Sequence, residues 1–246
     1  MRDLTERVRA AEFECVRHYF EPGKRILEIG GGNGYQANII ASLGCTVVSI
    51  DVPGRPIPRA QYFEVIDYDG VTLPFGEGEF DLVFSSHVLE HVRAPEKMLA
   101  EIHRVTKHDG RGVHILPSAF WRLWTIPAHY LYAIKYVLGR REIPGLRDAP
   151  TLKATAHKKG FVHAAKRALF PGPHGEYTSA IAEIYYYTRR RWCRVFRSSH
   201  FHVDLVRPSR IFVTGYGLFP SFSVRSRRRL AMILGSSSTI FVLSPS

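Results

Sequence analysis

The chain has 246 residues, of which 45% are hydrophobic, and a formal net charge of +12. That length fits one large domain or one domain with an elaboration, and the apolar content excludes a disordered chain. Its three cysteines, Cys15, Cys45 and Cys193, share no CxxC spacing, which argues against a disulfide framework or a zinc site and suits a reducing compartment.

Residues 3–20 read as an amphipathic helix, with Leu4, Val8, Ala11, Cys15 and Tyr19 near one face. No apolar signal core is present in this stretch, so the expected location is cytoplasmic. After the break at EPGK, RILEIG (25–30) is a short apolar strand that runs directly into a glycine loop. GYQANIIASLG (34–44) reads as a helix stopped by Gly44, and CTVVSID (45–51) as a second strand ending at Asp51. A proline-rich connection follows, then a third strand in QYFEVIDYD (61–69) and a fourth in FDLVFSS (80–86). APEKMLAEIHRVTKHDG (94–110) is a helix with Met98, Leu99, Ile102 and Val105 inward and a stop at Gly110. GRGVHILPS (110–118) is a fifth strand.

Strands alternating with helices predict an α/β fold with a mostly parallel sheet. Near-continuous apolar strands predict that the sheet is covered on both faces. Beyond residue 117 the pattern changes. Residues 118–190 are aromatic, basic and mostly helical in character. HVDLVRPSRIFVTGYG (202–217) and STIFVLSPS (238–246) return to strand character and are expected to complete the sheet as an antiparallel edge pair. Three segments follow: a core over 1–117, a helical insertion over 118–190 after the fifth strand, acting as a substrate cap, and closing strands over 191–246.

Charge divides at the same place. Residues 1–117 hold 13 Lys+Arg and 17 Asp+Glu, whereas residues 118–246 hold 21 and 5. The basic half suits an anionic partner such as a phosphate, a nucleic acid or an anionic lipid surface, or else it is a solvated basic surface. The most apolar window, 120–139, is interrupted by Arg122, His129 and Lys135 and contains Pro127, so it is a poor membrane span. It fits either an interfacial helix or a lid helix packed on the core.

The glycine loop asks for a ligand. A strand, a glycine turn and a helix start let a ligand approach the backbone and offer it free N–H groups. A dinucleotide fingerprint needs G-x-G-x-x-G; Gly30 and Gly32 fit, but the third glycine would fall on Tyr35, which disfavours an NAD oxidoreductase. The pattern present is E-x-G-x-G-x-G, at Glu28, Gly30, Gly32 and Gly34. "ILEIGGGNG" resembles the first motif of the class I S-adenosylmethionine-dependent methyltransferases, of the "methyltransferase domain 11" type. "VVSID", "DYDGVTLPFGEGEFDLVFSSHVLEHV" and "EKMLAEIHRVTKHDGRGVHILPS" resemble that family's later motifs in order.

The resemblance implies a Rossmann-like, doubly wound, seven-stranded sheet and S-adenosylmethionine as cofactor. It implies that Gly30, Gly32 and Gly34 pass the methionine portion and that Glu28 lies near its amino end. Asp51 would accept from the ribose hydroxyls, Val52 would lie against the adenine, and Asp69, with Asp67 as competitor, would take the adenine amino group. Ser85 and Ser86 would border the sulfonium, with His87 facing the substrate. His91 would be either a structural hydrogen bond or a general base.

For the acceptor, His174, Glu176 and Tyr177 form a local candidate for deprotonating a hydroxyl, with turn and cap chemistry as the alternative. Arg190, Arg194 and Arg197 form a phosphate clamp or a solvated face. The 12 histidines lack H-x-x-x-H spacing, so no metal is expected. The expected acceptor is a small anionic or lipid- or glycan-linked molecule, met at a membrane surface by peripheral contact. The alternatives are an RNA acceptor for the basic half and a non-catalytic cofactor-binding membrane adaptor.

Overall fold

A computed structural model describes residues 4–54, 60–137, 171–177, 179–216 and 219–246. The helices are α1 (Leu4–Phe13), α2 (Tyr35–Ser42), α3 (Pro95–Val105), α4 (Ala119–Val137), α5 (Ala180–Tyr186), α6 (Arg189–Ser198) and α7 (Val224–Leu234). The strands are β1 (Arg25–Ile29), β2 (Thr46–Asp51), β3 (Ile66–Asp67), β4 (Phe80–Ser86), β5 (Thr106–Pro117), β6 (Phe201–Pro208) and β7 (Ser238–Pro245).

The seven strands form one sheet in the order β3-β2-β1-β4-β5-β7-β6. β7 is the antiparallel strand, pairing with β5 on one side and with β6, the outermost strand, on the other. The expected antiparallel pair therefore closes the sheet. The chain runs outward from β1 through β2 to β3, then returns to lay β4 against the other side of β1. A crevice opens at the carboxyl end of a parallel sheet where the strand order reverses in this way, and ligands bind there.

Period-2 alternation divides the core between the two faces. Leu27, Ile29, Val83, Phe241 and Leu243 pack with Met98, Leu99 and Ile102 of α3 and with Trp192 and Phe196 of α6. Ile26, Leu82, Phe84, Val113 and Val242 pack with Phe13, Val16, Phe20 and Ile40 on the other face. A boundary at residue 190 falls near the start of α6.

Several element limits differ from expectation. The first helix stops at Phe13, and only a short 3-10 turn, Arg17–Tyr19, follows. Only Ile66 and Asp67 of the third segment pair as strand. The helix expected to run to Gly110 ends at Val105, because Thr106 turns extended and enters β5. The KHDG residues bulge out of that strand opposite Asp81, whose carboxylate takes Lys107 Nζ at 2.8 Å. Gly110 serves the bulge; a Cβ there would lie 2.9 Å from Lys107 O. β6 stops at Pro208, and Arg210 takes a φ of 57°, which turns the chain so that Ile211 packs on α1. Among the described residues no helix is long and apolar enough to cross a membrane.

Candidate functional site

The loop 30–34 leaves β1 at the reversal point and caps α2 with Gly34, whose φ is 76°. Gly30 and Gly31 both donate to Ile50 O, at 2.8 and 3.1 Å, which ties the loop to the end of β2. Three of its glycines are required by close approach: a Cβ would lie 2.2 Å from Val88 Cγ2 at Gly30, 2.0 Å from Ser49 Oγ at Gly31 and 2.6 Å from the Phe63 backbone at Gly34. Gly32 differs, with a φ of 57° and no atom within 4 Å of its would-be Cβ. The loop is thus packed from below and at both ends and faces open space at its crest.

Asp51 ends β2 beside that space. Its Oδ2 accepts from Gly32 N at 2.8 Å and its Oδ1 from Val52 N at 2.7 Å. The carboxylate is thereby fixed in orientation, and each oxygen retains a lone pair for a further donor. Val52 is 44% exposed at the rim. Glu28 lies beneath the loop, 2% exposed, and accepts from Ser49 Oγ at 2.6 Å. Burial, with the Asp51 charge nearby, pushes its carboxyl up to about 7.

Three expected cofactor residues make contacts within the protein. Ser85 is fully buried on the α3/α6 face, with its Oγ 2.8 Å from His114 Nδ1, because alternation along β4 points it away from the cleft. Ser86, next in line, points to the α1 face, where Arg9 Nη1 donates to its Oγ at 3.3 Å. Asp69 uses Oδ1 to accept from Val71 N and Thr72 N, both at 2.8 Å, which makes it the residue that forms its own turn. Those bonds hold its carboxyl below the usual range. Asp67 is in register with Asp51 on the neighbouring strand.

Past β4 the chain turns through His87, which has a φ of 57°. A non-glycine residue there costs backbone energy and must be held by its surroundings. His87 N donates to Ile115 O at 2.8 Å, and its Nε2 lies 3.2 Å from Glu12 Oε2 of α1. Glu12 is itself buried; Ser238 Oγ donates to it at 2.5 Å, and desolvation raises its carboxyl. Glu90, in the following turn, is fully buried and lies 3.7 Å from His87 Nδ1. Burial pushes Glu90 up to about 8.

The cap residues do not converge as a trio. His174 lies against His91 and Trp121, with ring centroids 4.8 and 4.7 Å away, and desolvation, with His91 alongside, lowers its proton affinity. Glu176 points outward to an ion pair with the exposed Arg93, at 2.8 Å, and Tyr177 accepts from Arg191 Nη1 and stacks on Tyr186. Glu176 therefore loses its expected place beside His174. Arg190, Arg194 and Arg197 line a shallow, open basic groove on α6 with Arg189.

Glu12, Glu90 and the pair Arg122–Glu183 were not singled out from the sequence. Glu12 had a readable signal, because it continues the Leu4, Val8 spacing and so places an acid on the apolar side of α1.

Residues 27–113 match the model of the methyltransferase domain. An uncharacterized methyltransferase of Mycobacterium avium is 32% identical over 125 residues, 48% of this chain and 48% of that protein. The chain spans about half the length of the curated relatives it matches. An S-adenosylmethionine-dependent methyltransferase structure from Mesorhizobium loti superposes with a TM-score of 0.56 at 16% identity, over 95% of this chain and 97% of that one. The 1,6-didemethyltoxoflavin-N1-methyltransferase of Burkholderia thailandensis, solved with S-adenosylhomocysteine, superposes with a TM-score of 0.52 at 15% identity, over 97% and 77%. In sequence, residues 27–113 are similar to a methyltransferase domain, and the sheet has the Rossmann-like fold of these structures.

Proposed function

We propose that the chain is an S-adenosylmethionine-dependent methyltransferase acting on a small acceptor with a neutral nucleophilic end and an anionic, lipid- or glycan-linked remainder. The observation that carries the reading is the open crest at Gly32 beside the fixed Asp51 carboxylate, at the strand reversal of a matched methyltransferase domain. The residues fit the cofactor: Gly32 leaves room at the backbone, Asp51 offers acceptors to paired hydroxyls, and Val52 offers an apolar edge. When bound, the cofactor supplies an activated methyl group on a sulfonium.

What remains for the chain is binding, orientation and a proton. His87 is the best-placed proton acceptor. Its Nε2–H donates to Glu12, which leaves Nδ1 with a lone pair, and the ring stays 17% exposed. Glu12 acts through His87 by holding its tautomer and angle. The buried acids Glu12 and Glu90 and the imidazole that wall the reacting end offer no fixed cation to an anion, which favours a neutral nucleophile such as a hydroxyl or amine. The anionic remainder would then lie outward, where the arginines of the second half stand.

The membrane contact has its own support. The outward face of α4 is apolar, with Phe120, Leu123, Leu131 and Ile134 about half exposed, while Arg122, Thr125 and His129 are turned inward. That is the reverse of a solvated helix. Trp124 Nε1 donates to Leu234 O, joining this face to the end of α7, where Met232 and Ile233 are exposed. Arg225, Arg228 and Arg229 of α7 are exposed beside them. Apolar side chains with exposed arginines on the adjoining helix suit an anionic lipid surface.

Calorimetric titration with S-adenosylmethionine, S-adenosylhomocysteine and NAD tests the cofactor. Micromolar binding of the first two without NAD is expected, and binding of NAD alone would overturn the reading.

A further inference from the structure

Glu90 is closed off from solvent, and neither of its carboxylate oxygens has a hydrogen-bond partner among the described residues. Burying a polar group so is costly, and a carboxylate there needs a proton or a cation. What surrounds it is imidazole. His91 Nε2 lies 3.9 Å and His87 Nδ1 3.7 Å from Glu90 Oε1. One ligand atom each from Glu90, His91 and His174 falls within 4.8 Å of the others.

The position of His174 is built. Glu183 Oε1 accepts from His174 N at 2.6 Å and from Gly175 N at 2.7 Å. Gly175 then lies so close to Glu90 that a Cβ would be 2.4 Å from Glu90 O, and Glu176 N donates to that same oxygen. The loop carrying His174 is therefore clamped against the turn carrying Glu90 and His91 by contacts that owe nothing to the two imidazoles.

The geometry points to a divalent transition-metal site, with zinc as its natural occupant, formed by Glu90, His91 and His174. Two imidazoles and a carboxylate are a donor set zinc takes, and three protein ligands leave one coordination position open. Metal–ligand bonds of about 2.0–2.2 Å put tetrahedral ligand atoms roughly 3.4 Å apart, so separations of up to 4.8 Å must close by up to about 1.4 Å. Both histidines are exposed, and exposed side chains change rotamer readily. The ligands come from segments more than 80 residues apart, which is why no local spacing reveals them. The open position would receive an oxygen of the acceptor. That last role rests on the methyl-transfer reading, whereas metal binding does not.

The test is competition titration of chelator-dialysed protein with zinc against a chromophoric indicator, with cobalt absorption as a second readout. Wild type should bind zinc one-to-one and give the intense visible bands of a four-coordinate cobalt site. His174→Ala removes an exposed side chain and should keep the fold by circular dichroism, yet lower zinc affinity by about 100-fold or more. His108→Ala, exposed and remote, should change nothing. Failure of wild type to bind zinc would overturn the proposal, as would unchanged affinity in His174→Ala. None of these readouts depends on S-adenosylmethionine binding.

Discussion

Arg122 Nε lies 2.9 Å from Glu183 Oε2, and both side chains are buried, which locks α4 to α5 and to the segment 171–177. Arg122 also donates to Gly172 O and Ala180 O, while Tyr187 OH donates to Glu183 Oε1 at 3.1 Å. Removing one partner leaves a buried charge unpaired. Glu183→Ala should destabilise the protein by about 3–5 kcal/mol in chemical denaturation. Replacing both partners with apolar residues should cost less than the single change; a double variant as unstable as the sum would refute the pairing.

Asp51 carries the cofactor prediction. Asp51→Ala removes the acceptor for two hydroxyls, and each charge-assisted hydrogen bond contributes about 1.5–3 kcal/mol. Affinity for S-adenosylmethionine should fall at least 100-fold by calorimetry, while the unliganded protein still folds, with a modest loss from the two backbone hydrogen bonds that Asp51 accepts. Retained affinity would remove Asp51 from the site.

Gly32 and Gly34 should separate ligand space from packing space. Both have positive φ, so either alanine costs about 1–2 kcal/mol in backbone strain. At Gly34 the added Cβ also meets the Phe63 backbone, whereas at Gly32 it meets nothing. Gly34→Ala should therefore be the less stable by about 1–3 kcal/mol in urea denaturation. Gly32→Ala should fold and lose cofactor affinity. Equal stability of the two variants would contradict the packing described for the loop.

Glu28 predicts a pH dependence opposite to that of an ordinary surface carboxylate. Its folded pKa, about 7, lies above the ordinary carboxyl value of 4.5. Between those values the unfolded chain has released a proton that the folded chain keeps. Stability from this group is thus full below about 4.5 and falls as pH rises to 7, by on the order of 3 kcal/mol. Glu12 and Glu90 slope the same way, so the informative quantity is the difference between wild type and Glu28→Gln in urea melts from pH 5 to 8. That difference should close as pH falls; a constant offset would show that Glu28 does not titrate there.

The parallel sheet was legible because its strands are apolar runs bounded by glycine and acid, and each motif fell on a strand end. Gly30, Gly32 and Asp51 could be placed for the same reason: loop position follows from where a strand stops. Ser85 could not, because one residue of register decides which face a strand residue takes, and the same alternation buries it against His114. Glu176 turns away from His174 for another reason. Adjacency to His174 in a loop says nothing about direction, and Arg93, 83 residues earlier, claims its carboxylate. The Glu90, His91 and His174 cluster needs the chain folded before it exists.

The inverted face of α4 gives the final prediction. A solvated helix turns its polar residues outward; this one buries Arg122, Thr125 and His129 and leaves Leu123 and Ile134 in water. Burying a leucine or isoleucine contributes about 1.5–3 kcal/mol, and each arginine near an anionic surface about 1 kcal/mol. Together these suffice for reversible membrane contact. The protein should float with vesicles containing phosphatidylglycerol, less so with phosphatidylcholine alone, and binding should weaken as salt screens the arginines. Leu123→Asp with Ile134→Asp should abolish flotation without loss of fold, since neither side chain is buried. Failure to float at low salt, or equal flotation of the double variant, would remove the lipid surface from the reading; saturable RNA binding instead would assign the basic half to a nucleic acid.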